Sequence, residues 1–358
     1  MSDIAPLTLI GSPPSPYTRK MISLLRYRQI PYKVIWGDPQ ELLTNGGLSH
    51  LNIEPPKPNL LPTFIIPDQT GKLKAFTDST PLLRRFENEF EKRKCVPQDK
   101  FLSFINYVLE DFADEWATKY MFHFRWHFDE DIDNAGTLLP LNQKVNLDDE
   151  SLASFKKYIA ERQVSRLGVV GSNETTAETI EKSYKRFLNL LEKHFTNFSF
   201  LLGERPASSD FSLFGQLSQL IGFDPTSRKI AHEISPRTVA WVSLMEDLSG
   251  LEVSDEDWIQ HELPESVENI FKEIGNVYLP ALLANENAFK REEKTWEVII
   301  DDSNWSQNTF PYQVKCLNWI NDEFQNLNDE EKNRTFNFLE KTGCEELVRK
   351  KNERVSNT

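Results

Sequence analysis

The first residues in the sequence that could do chemistry are a serine and the proline after it. Ser15 and Pro16 join an apolar β-type run at residues 7–11 to a helical pattern at residues 18–28. Serine favours the N-cap because its hydroxyl accepts a hydrogen bond from a free backbone N–H, and proline suits the first helical position. The free amides and the positive end of the helix dipole suit an anion, such as a thiolate. Taken alone, the pair also fits an ordinary helix cap.

The elements that position this turn alternate between strand and helix. Sequence patterns predict strands at 7–11, 31–36, 60–67 and 73–77, helices at 18–28 and 79–92, and a weaker helix around 40–51. The last two strands flank the turn Asp68-Gln69-Thr70-Gly71 and therefore form a hairpin. The order β-α-β-α-β-β-α is typical of a thioredoxin-like α/β domain, which we place at residues 1–92.

The rest of the chain is predicted to be mostly helical. Helical spacing occurs at residues 101–124, 152–166, 175–196, 209–221, 236–247 and 312–327, with shorter helices between 251 and 290 and a β-like segment with a turn at 296–305. We therefore expect a linker at 93–98, an all-α domain at 99–250, and a C-terminal helical extension at 251–358 packed on that domain.

Composition and charge exclude several classes of function. The 358 residues carry a formal net charge of −14, which argues against binding a nucleic-acid backbone. The basic run at 349–351 is predicted to be a solvated tail. The three cysteines are far apart, so neither a disulfide framework nor a structural zinc site is expected. Because the sequence contains no long apolar run and no signal-peptide pattern, we expect no membrane span and a cytoplasmic location.

Three segments resemble the glutathione S-transferase superfamily. Ser15-Pro16-Tyr17 lies fifteen residues before Ile30-Pro31-Tyr32, and family members have Ser-Pro-Phe or Cys-Pro-Phe at that distance from a similar motif. Leu61-Pro62-Thr63 matches the segment that contains the family's cis-proline. Asp78-Ser79 matches the Glu/Asp-Ser motif that opens the third helix. With a thioredoxin-like domain followed by an all-α, GST-type domain, the chain resembles bacterial-type members that have serine at the catalytic position.

The resemblance implies that glutathione is the co-substrate. Asp78 would pair with its ammonium group, and Ser79 would offer its hydroxyl and backbone N–H to its carboxylate. Leu61 would pair its backbone with the cysteinyl unit in a short antiparallel arrangement. The residues that the resemblance assigns to glutathione binding are Ser12, Tyr17, Leu61, Pro62, Asp78 and Ser79.

The same resemblance makes Ser15 the catalytic residue. Its hydroxyl would donate to the glutathione sulfur and favour the thiolate, which then attacks an electrophilic carbon. Ser12 lies on the same turn and competes for this role. Neither Ser15 nor Thr18, at the position of a thioredoxin resolving cysteine, can form a mixed disulfide. Conjugating or isomerising members of the family therefore fit better than thiol-transfer members.

Aromatic residues in the helical domain are candidates for the electrophile pocket. Trp116, Tyr120 and Phe124 recur at helical spacing, and in the family the corresponding helix lines that pocket. An ordinary helix–helix core explains the same spacing. His123 and His127 also lie four residues apart, but no matched third ligand is evident, so we predict no metal site. Arg125 is expected to pair with an acidic group at the domain interface or on glutathione.

The sequence thus predicts a glutathione S-transferase-like enzyme that acts on a small hydrophobic electrophile, with a role in detoxification. Two alternatives stay open. A glutathione-dependent isomerase would share the serine, and a non-catalytic relative would use the same fold as a scaffold or to bind a ligand. The Pro-rich segment at residues 54–59 keeps the scaffold alternative open. The resemblance also implies a homodimer, although the extension could block the usual interface.

Overall fold

The four-stranded sheet of the N-terminal domain carries the predicted site. In the computed structural model, which describes residues 4–349, its strands are β1 (Leu7–Gly11), β2 (Tyr32–Trp36), β3 (Thr63–Pro67) and β4 (Leu73–Phe76). Their order is β2-β1-β3-β4. β1 runs parallel to β2, whereas β1–β3 and β3–β4 are antiparallel. The predicted thioredoxin-like order is therefore confirmed.

Three helices complete this domain. They are α1 (Pro16–Tyr27), α2 (Pro39–Thr44) and α3 (Ser79–Glu89). The helix predicted around residues 40–51 is shorter than expected, and a 3₁₀ turn at Ser49–Leu51 replaces its second half. The pair Gly46-Gly47 follows the C-cap residue Asn45 of α2, and glycine is costly inside a helix.

The remaining described residues are largely helical. The helices are α4 (Lys100–Glu115), α5 (Ala117–His127), α6 (Asp129–Gln143), α7 (Asp149–Val164), α8 (Ala177–His194), α9 (Ser208–Gly222), α10 (Pro225–Ile234), α11 (Pro236–Met245), α12 (Glu265–Glu273), α13 (Leu279–Lys290), α14 (Pro311–Gln325) and α15 (Asp329–Thr342). The predicted helix at 101–124 is two helices that meet at Trp116. The helices α6, α10 and α15 were not predicted.

The β-like segment predicted at 296–305 is a hairpin. Its strands are β5 (Thr295–Ile300) and β6 (Ser303–Asn308), which pair antiparallel. From the C-terminal extension, α14 and α15 both pack on α4. The domain boundaries stay predictions, and the solvated tail predicted at 349–351 lies, apart from Arg349, outside the described residues. Among residues 4–349, no helix has the length and apolar character needed to cross a membrane.

The N-terminal domain meets the helical domain where α1 packs on α9. A Cβ atom added to Gly215 would lie 2.6 Å from the carbonyl oxygen of Pro16, so glycine permits this close approach. On the same helix α1, the buried Lys20 forms ion pairs with Asp114 at 2.6 Å and with Glu110 at 3.4 Å. These contacts fix the N-terminus of α1, which carries Ser15, against the helical domain.

Candidate active site

Ser15 caps helix α1 as predicted. Its backbone is extended, and its hydroxyl oxygen accepts a hydrogen bond of 3.3 Å from the backbone N–H of Thr18. A serine hydroxyl has one donor hydrogen in addition to its acceptor lone pairs. The O–H of Ser15 can therefore donate to a ligand while its oxygen caps the helix.

The predicted site segments lie at one edge of the sheet. Ile10, near the end of β1, pairs with Thr63, and Phe64 pairs with Phe76. The turn that follows β1, the Leu61-Pro62 segment before β3 and the Asp78-Ser79 segment after β4 therefore meet at this edge. The peptide bond between Leu61 and Pro62 is cis, as the resemblance implied.

A cleft of about 440 Å³ opens beside Ser15, between the N-terminal domain and helices α5, α6 and α7. Ser12, Ser15 and Leu61 line it together. The other lining residues are mostly apolar: Pro14, Met121, Phe122, Arg125, Trp126, Leu139, Gln143, Phe155, Tyr158, Ile159, Arg162 and Gln163. The Ser15 hydroxyl that caps α1 and a mostly apolar surface therefore border the same cleft.

The predicted pocket residues on α4–α5 require a correction. Trp116, Tyr120 and Phe124 are fully buried, so they do not line the cleft. The indole Nε1 of Trp116 donates a hydrogen bond of 2.9 Å to the hydroxyl of Tyr120, and the ring of Phe124 packs at a tilt against that of Tyr184 of α8. Helix α5 is buried on most of its circumference, and a different face of it, with Met121, Phe122 and Trp126, borders the cleft.

Arg125 lines the cleft and contacts residues of both domains. Its guanidinium group binds both carboxylate oxygens of Asp224, at 2.8 and 3.0 Å, and donates to the carbonyl oxygen of Pro14 at 3.0 Å. Burial raises the pKa of Asp224 to about 6, although Arg125 opposes this shift. Arg125 therefore pairs with an acid near the domain interface, which is one of the two predicted alternatives. It also holds the backbone of Pro14, the residue before Ser15.

Asp78 and Ser79 are held by buried polar contacts. Asp78 has a φ of 76°, a left-handed conformation that costs energy for a residue with a side chain. Its Oδ2 accepts a hydrogen bond of 2.9 Å from the hydroxyl of Tyr312 on α14. The hydroxyl of Ser79 accepts one of 3.2 Å from Nζ of Lys20. Neither Asp78 nor Ser79 lines the cleft itself.

Two further predicted residues also lie outside the cleft lining. Pro62 is buried at the edge of the sheet. The hydroxyl of Tyr17 donates a hydrogen bond of 2.8 Å to the carbonyl oxygen of Asp114, so this side chain bridges the two domains and does not face the cleft. The structure therefore places Tyr17 in the interface that supports the site.

Sequence reasoning missed the contributions of α7 and α14. Phe155 and Tyr158 of α7 are 49% and 62% exposed and line the cleft. Phe155, Tyr158, Ile159 and Arg162 recur at helical spacing, a pattern in the sequence that could have revealed the face of α7 that lines the cleft. No local sequence pattern marks Tyr312 as a site residue. Its contact with Asp78 forms only because α14, in the C-terminal extension, packs on α4.

Beneath α14, helix α4 carries buried acids. Burial raises the pKa of Glu115 to about 8 and that of Asp111 to about 7. The hydroxyl of Tyr278 donates a 2.6 Å hydrogen bond to Asp111, and Gln313 of α14 donates one of 3.4 Å to Glu115. The extension thus covers two carboxyl groups whose pKa values lie well above those of ordinary acids.

Comparison with known proteins supports the assignment of the N-terminal domain. Residues 9–94 match the family described as glutathione S-transferase, N-terminal domain. A sequence comparison with curated proteins gives no match. Among solved structures, a glutathione transferase family member from Pseudomonas fluorescens with two glutathione molecules bound is 17% identical and aligns over 67% of this chain and 86% of its own, with a TM-score of 0.39.

Two other solved structures are also similar. The β-etherase LigF from Sphingobium sp. strain SYK-6 is 17% identical over 66% of this chain and 93% of its own, with a TM-score of 0.45. A glutathione transferase homolog from Lodderomyces elongisporus with two glutathione molecules per subunit is 17% identical over 70% of this chain and 96% of its own, with a TM-score of 0.34. The family match thus covers the N-terminal domain alone, which matches the glutathione S-transferase N-terminal domain over residues 9–94.

Proposed function

We propose that the protein is a glutathione transferase that activates the glutathione thiol with Ser15 for attack on a small hydrophobic electrophile. The observation that carries this proposal is the common cleft. Ser15 and Leu61 line it from the N-terminal domain, opposite apolar side chains of α5 and α7. A nucleophile bound along β3 would therefore face an apolar substrate.

The chemistry follows from the cap of α1. The Ser15 O–H donates to the glutathione sulfur, and the positive end of the helix dipole adds to the stabilisation of negative charge there. The thiol proton leaves to solvent as the thiolate forms. The sulfur then supplies the electron pair of the new C–S bond, and a leaving group departs with the electrons of the bond that breaks. Detoxification of electrophiles would follow from this reaction.

The rest of glutathione is assigned to the same edge of the sheet. The backbone of Leu61, next to the cis bond to Pro62, pairs with the cysteinyl unit. Asp78 binds the ammonium group, and Ser79 binds the adjacent carboxylate through its hydroxyl and N–H. Tyr312 donates to Oδ2 of Asp78, which leaves Oδ1 to accept from the ammonium group.

A second candidate, a non-catalytic binding protein, is favoured by one specific contact. Tyr312 of the extension already engages Asp78, which is the residue proposed to bind the ammonium group. If the Tyr312 contact kept the glutathione ammonium group away from Asp78, the fold would bind a different ligand or partner and would not catalyse transfer. The isomerase alternative shares Ser15 and differs only in the electrophile. The homodimer and the cytoplasmic location stay predictions.

The experiment is a calorimetric titration of glutathione into the full-length chain and into Asp78→Ala and Ser79→Ala variants. Asp329→Ala, an exposed acid on α15, is the matched control. Binding by the wild type and the control that both site variants lose supports the proposal. A chromogenic aryl halide then tests transfer, with Ser15→Ala as the comparison. A folded wild type that binds no glutathione contradicts the transferase, and binding without transfer to any tested electrophile favours the non-catalytic candidate.

A further inference from the structure

Two histidines of α5 and a glutamate of α8 meet outside the cleft. His123, His127 and Glu181 each offer one ligand atom, and these atoms all lie within 4.8 Å of one another. The two imidazole rings stack with their centroids 4.4 Å apart, as their spacing of one helical turn allows. None of the three residues lines the cleft beside Ser15.

The buried histidine has a nitrogen without a hydrogen-bond partner. His123 is fully buried, and its Nδ1 lies 2.9 Å from the hydroxyl oxygen of Ser172. Its Nε2 forms no hydrogen bond, because the nearest carboxylate oxygen, Oε1 of Glu181, is 3.7 Å away. An unpaired polar atom in the interior is costly, so a buried imidazole that points at two other ligand groups calls for a partner.

The other two groups are suited to ligation. Each brings one ligand atom to within 4.8 Å of the other two, His127 a ring nitrogen and Glu181 a carboxylate oxygen. Neutral imidazole and ionised carboxylate are the forms that bind metal ions. His127 is exposed, which opens a path from solvent.

We infer that His123, His127 and Glu181 bind a divalent first-row transition metal, with Zn²⁺ as the best fit, and leave a fourth position open to water. Two imidazoles and one carboxylate suit zinc, whose bonds to them are about 2.0–2.2 Å long. Tetrahedral ligands at such distances lie about 3.4 Å apart. The exposed His127 and the partly exposed Glu181 therefore close onto the ion, while His123 stays fixed.

The surroundings of His123 support this assignment. Nδ1 of His123 lies 2.9 Å from the Ser172 hydroxyl. When Nδ1 donates to that hydroxyl, the lone pair of Nε2 faces the ion, and such a second hydrogen bond is common for metal-bound histidines. The ion would tie α5 to α8 on the side of α5 that carries the two histidines. The sequence predicted no metal here because the third ligand lies on a separate helix, much later in the chain.

The test is a calorimetric titration of zinc chloride into the full-length chain after dialysis against EDTA. The wild type is expected to bind one ion per chain. The His127→Gln and Glu181→Gln variants, whose side chains are at least partly exposed, are expected to bind it more than about tenfold more weakly, and Ser172→Ala about tenfold more weakly. His50→Gln, an exposed histidine of the N-terminal domain, is the control.

Two further readouts separate ligation from nonspecific binding. Added Zn²⁺ should raise the Tm of the wild type and of His50→Gln, but not of His127→Gln. Substituted Co²⁺ should give the visible absorption of a tetrahedral nitrogen–oxygen site. Equal zinc binding by the wild type and both ligand variants, or no stoichiometric binding, would overturn the inference. If no stoichiometric binding is found, His123 and Glu181 are neighbouring side chains that hold no metal.

Discussion

The hydroxyl of Tyr312 donates a hydrogen bond of 2.9 Å to Oδ2 of Asp78, which lies 234 residues earlier in the chain. This contact joins the C-terminal extension to the residue proposed to bind the glutathione ammonium group. Asp78 also has a left-handed backbone, with a φ of 76°. Strained residues of this kind persist where the surrounding structure fixes them. The extension therefore forms part of the candidate site.

We expect Tyr312→Phe to weaken glutathione binding about three- to tenfold. The variant keeps the ring and its packing but removes the donor that orients the Asp78 carboxylate. A three- to tenfold change corresponds to about 0.7–1.4 kcal/mol, within the net contribution of a typical hydrogen bond. Calorimetric titration measures the change. Tyr158→Phe removes a hydroxyl from the α7 side of the cleft and should leave the affinity unaltered. Tighter binding by Tyr312→Phe would identify Tyr312 as a competitor for the site.

The close approach of α9 to α1 is expected to support the Ser15 cap. In Gly215→Ala the new Cβ would meet the Pro16 carbonyl oxygen at 2.6 Å, so the backbone of one helix must shift. We expect a loss of about 1–3 kcal/mol in the free energy of unfolding and a fall in kcat/KM.

Gly222→Ala is the matched control for this change. Gly222 lies on the same helix, and a Cβ there would meet no atom within 4 Å. Urea denaturation measures both variants. Equal stability of Gly215→Ala and the wild type would show that the approach of α9 to α1 is not tight.

Local patterns predicted the parts of the site that depend on neighbouring residues. The Ser15 cap and the cis bond before Pro62 each follow from a short motif, and the structure contains both. The face of α5 that borders the cleft was predicted wrongly, because the helix is buried on most sides and helical spacing alone does not tell a core face from a cleft face. Trp116, Tyr120 and Phe124 pack in the core instead.

Contacts across long distances in sequence could not be predicted. The partner of Asp78 is on α14, and the third member of the histidine cluster is on α8. The helix α6 escaped prediction because Pro140 lies inside it and few of its residues are buried. The charged α15 buries only a narrow stripe, with Phe338 and Leu339 at its centre.

Buried acids beneath the extension predict a pH-dependent stability. The pKa of Glu115 is raised to about 8 in the folded chain, against about 4.3 for an ordinary glutamate. Between these values the folded state binds more protons than the unfolded state, so stability falls as pH rises from about 5 to about 8. Glu115→Gln cannot titrate and should flatten this fall, by at most about 1.4 kcal/mol per pH unit.

Thermal unfolding from pH 5 to 8 measures the effect of Glu115→Gln. Its neighbours include Asp111, Asp114 and Lys119, whose titration persists in the variant and leaves some of the slope. Glu297→Gln, an exposed glutamate on β5, should keep the full wild-type slope. Identical slopes for Glu115→Gln and the wild type would mean that Glu115 stays ionised beneath α14.

The most direct test of the central claim is the pKa of the bound glutathione thiol, followed by the ultraviolet absorbance of the thiolate as pH is varied. With the wild type, we expect a value at least about one unit below the 8.5 of an ordinary cysteine thiol. Ser15→Ala should restore the ordinary value, whereas Ser12→Ala should keep the lowered one. An unshifted pKa in the wild type, or an equally lowered one in Ser15→Ala, would contradict thiol activation by Ser15.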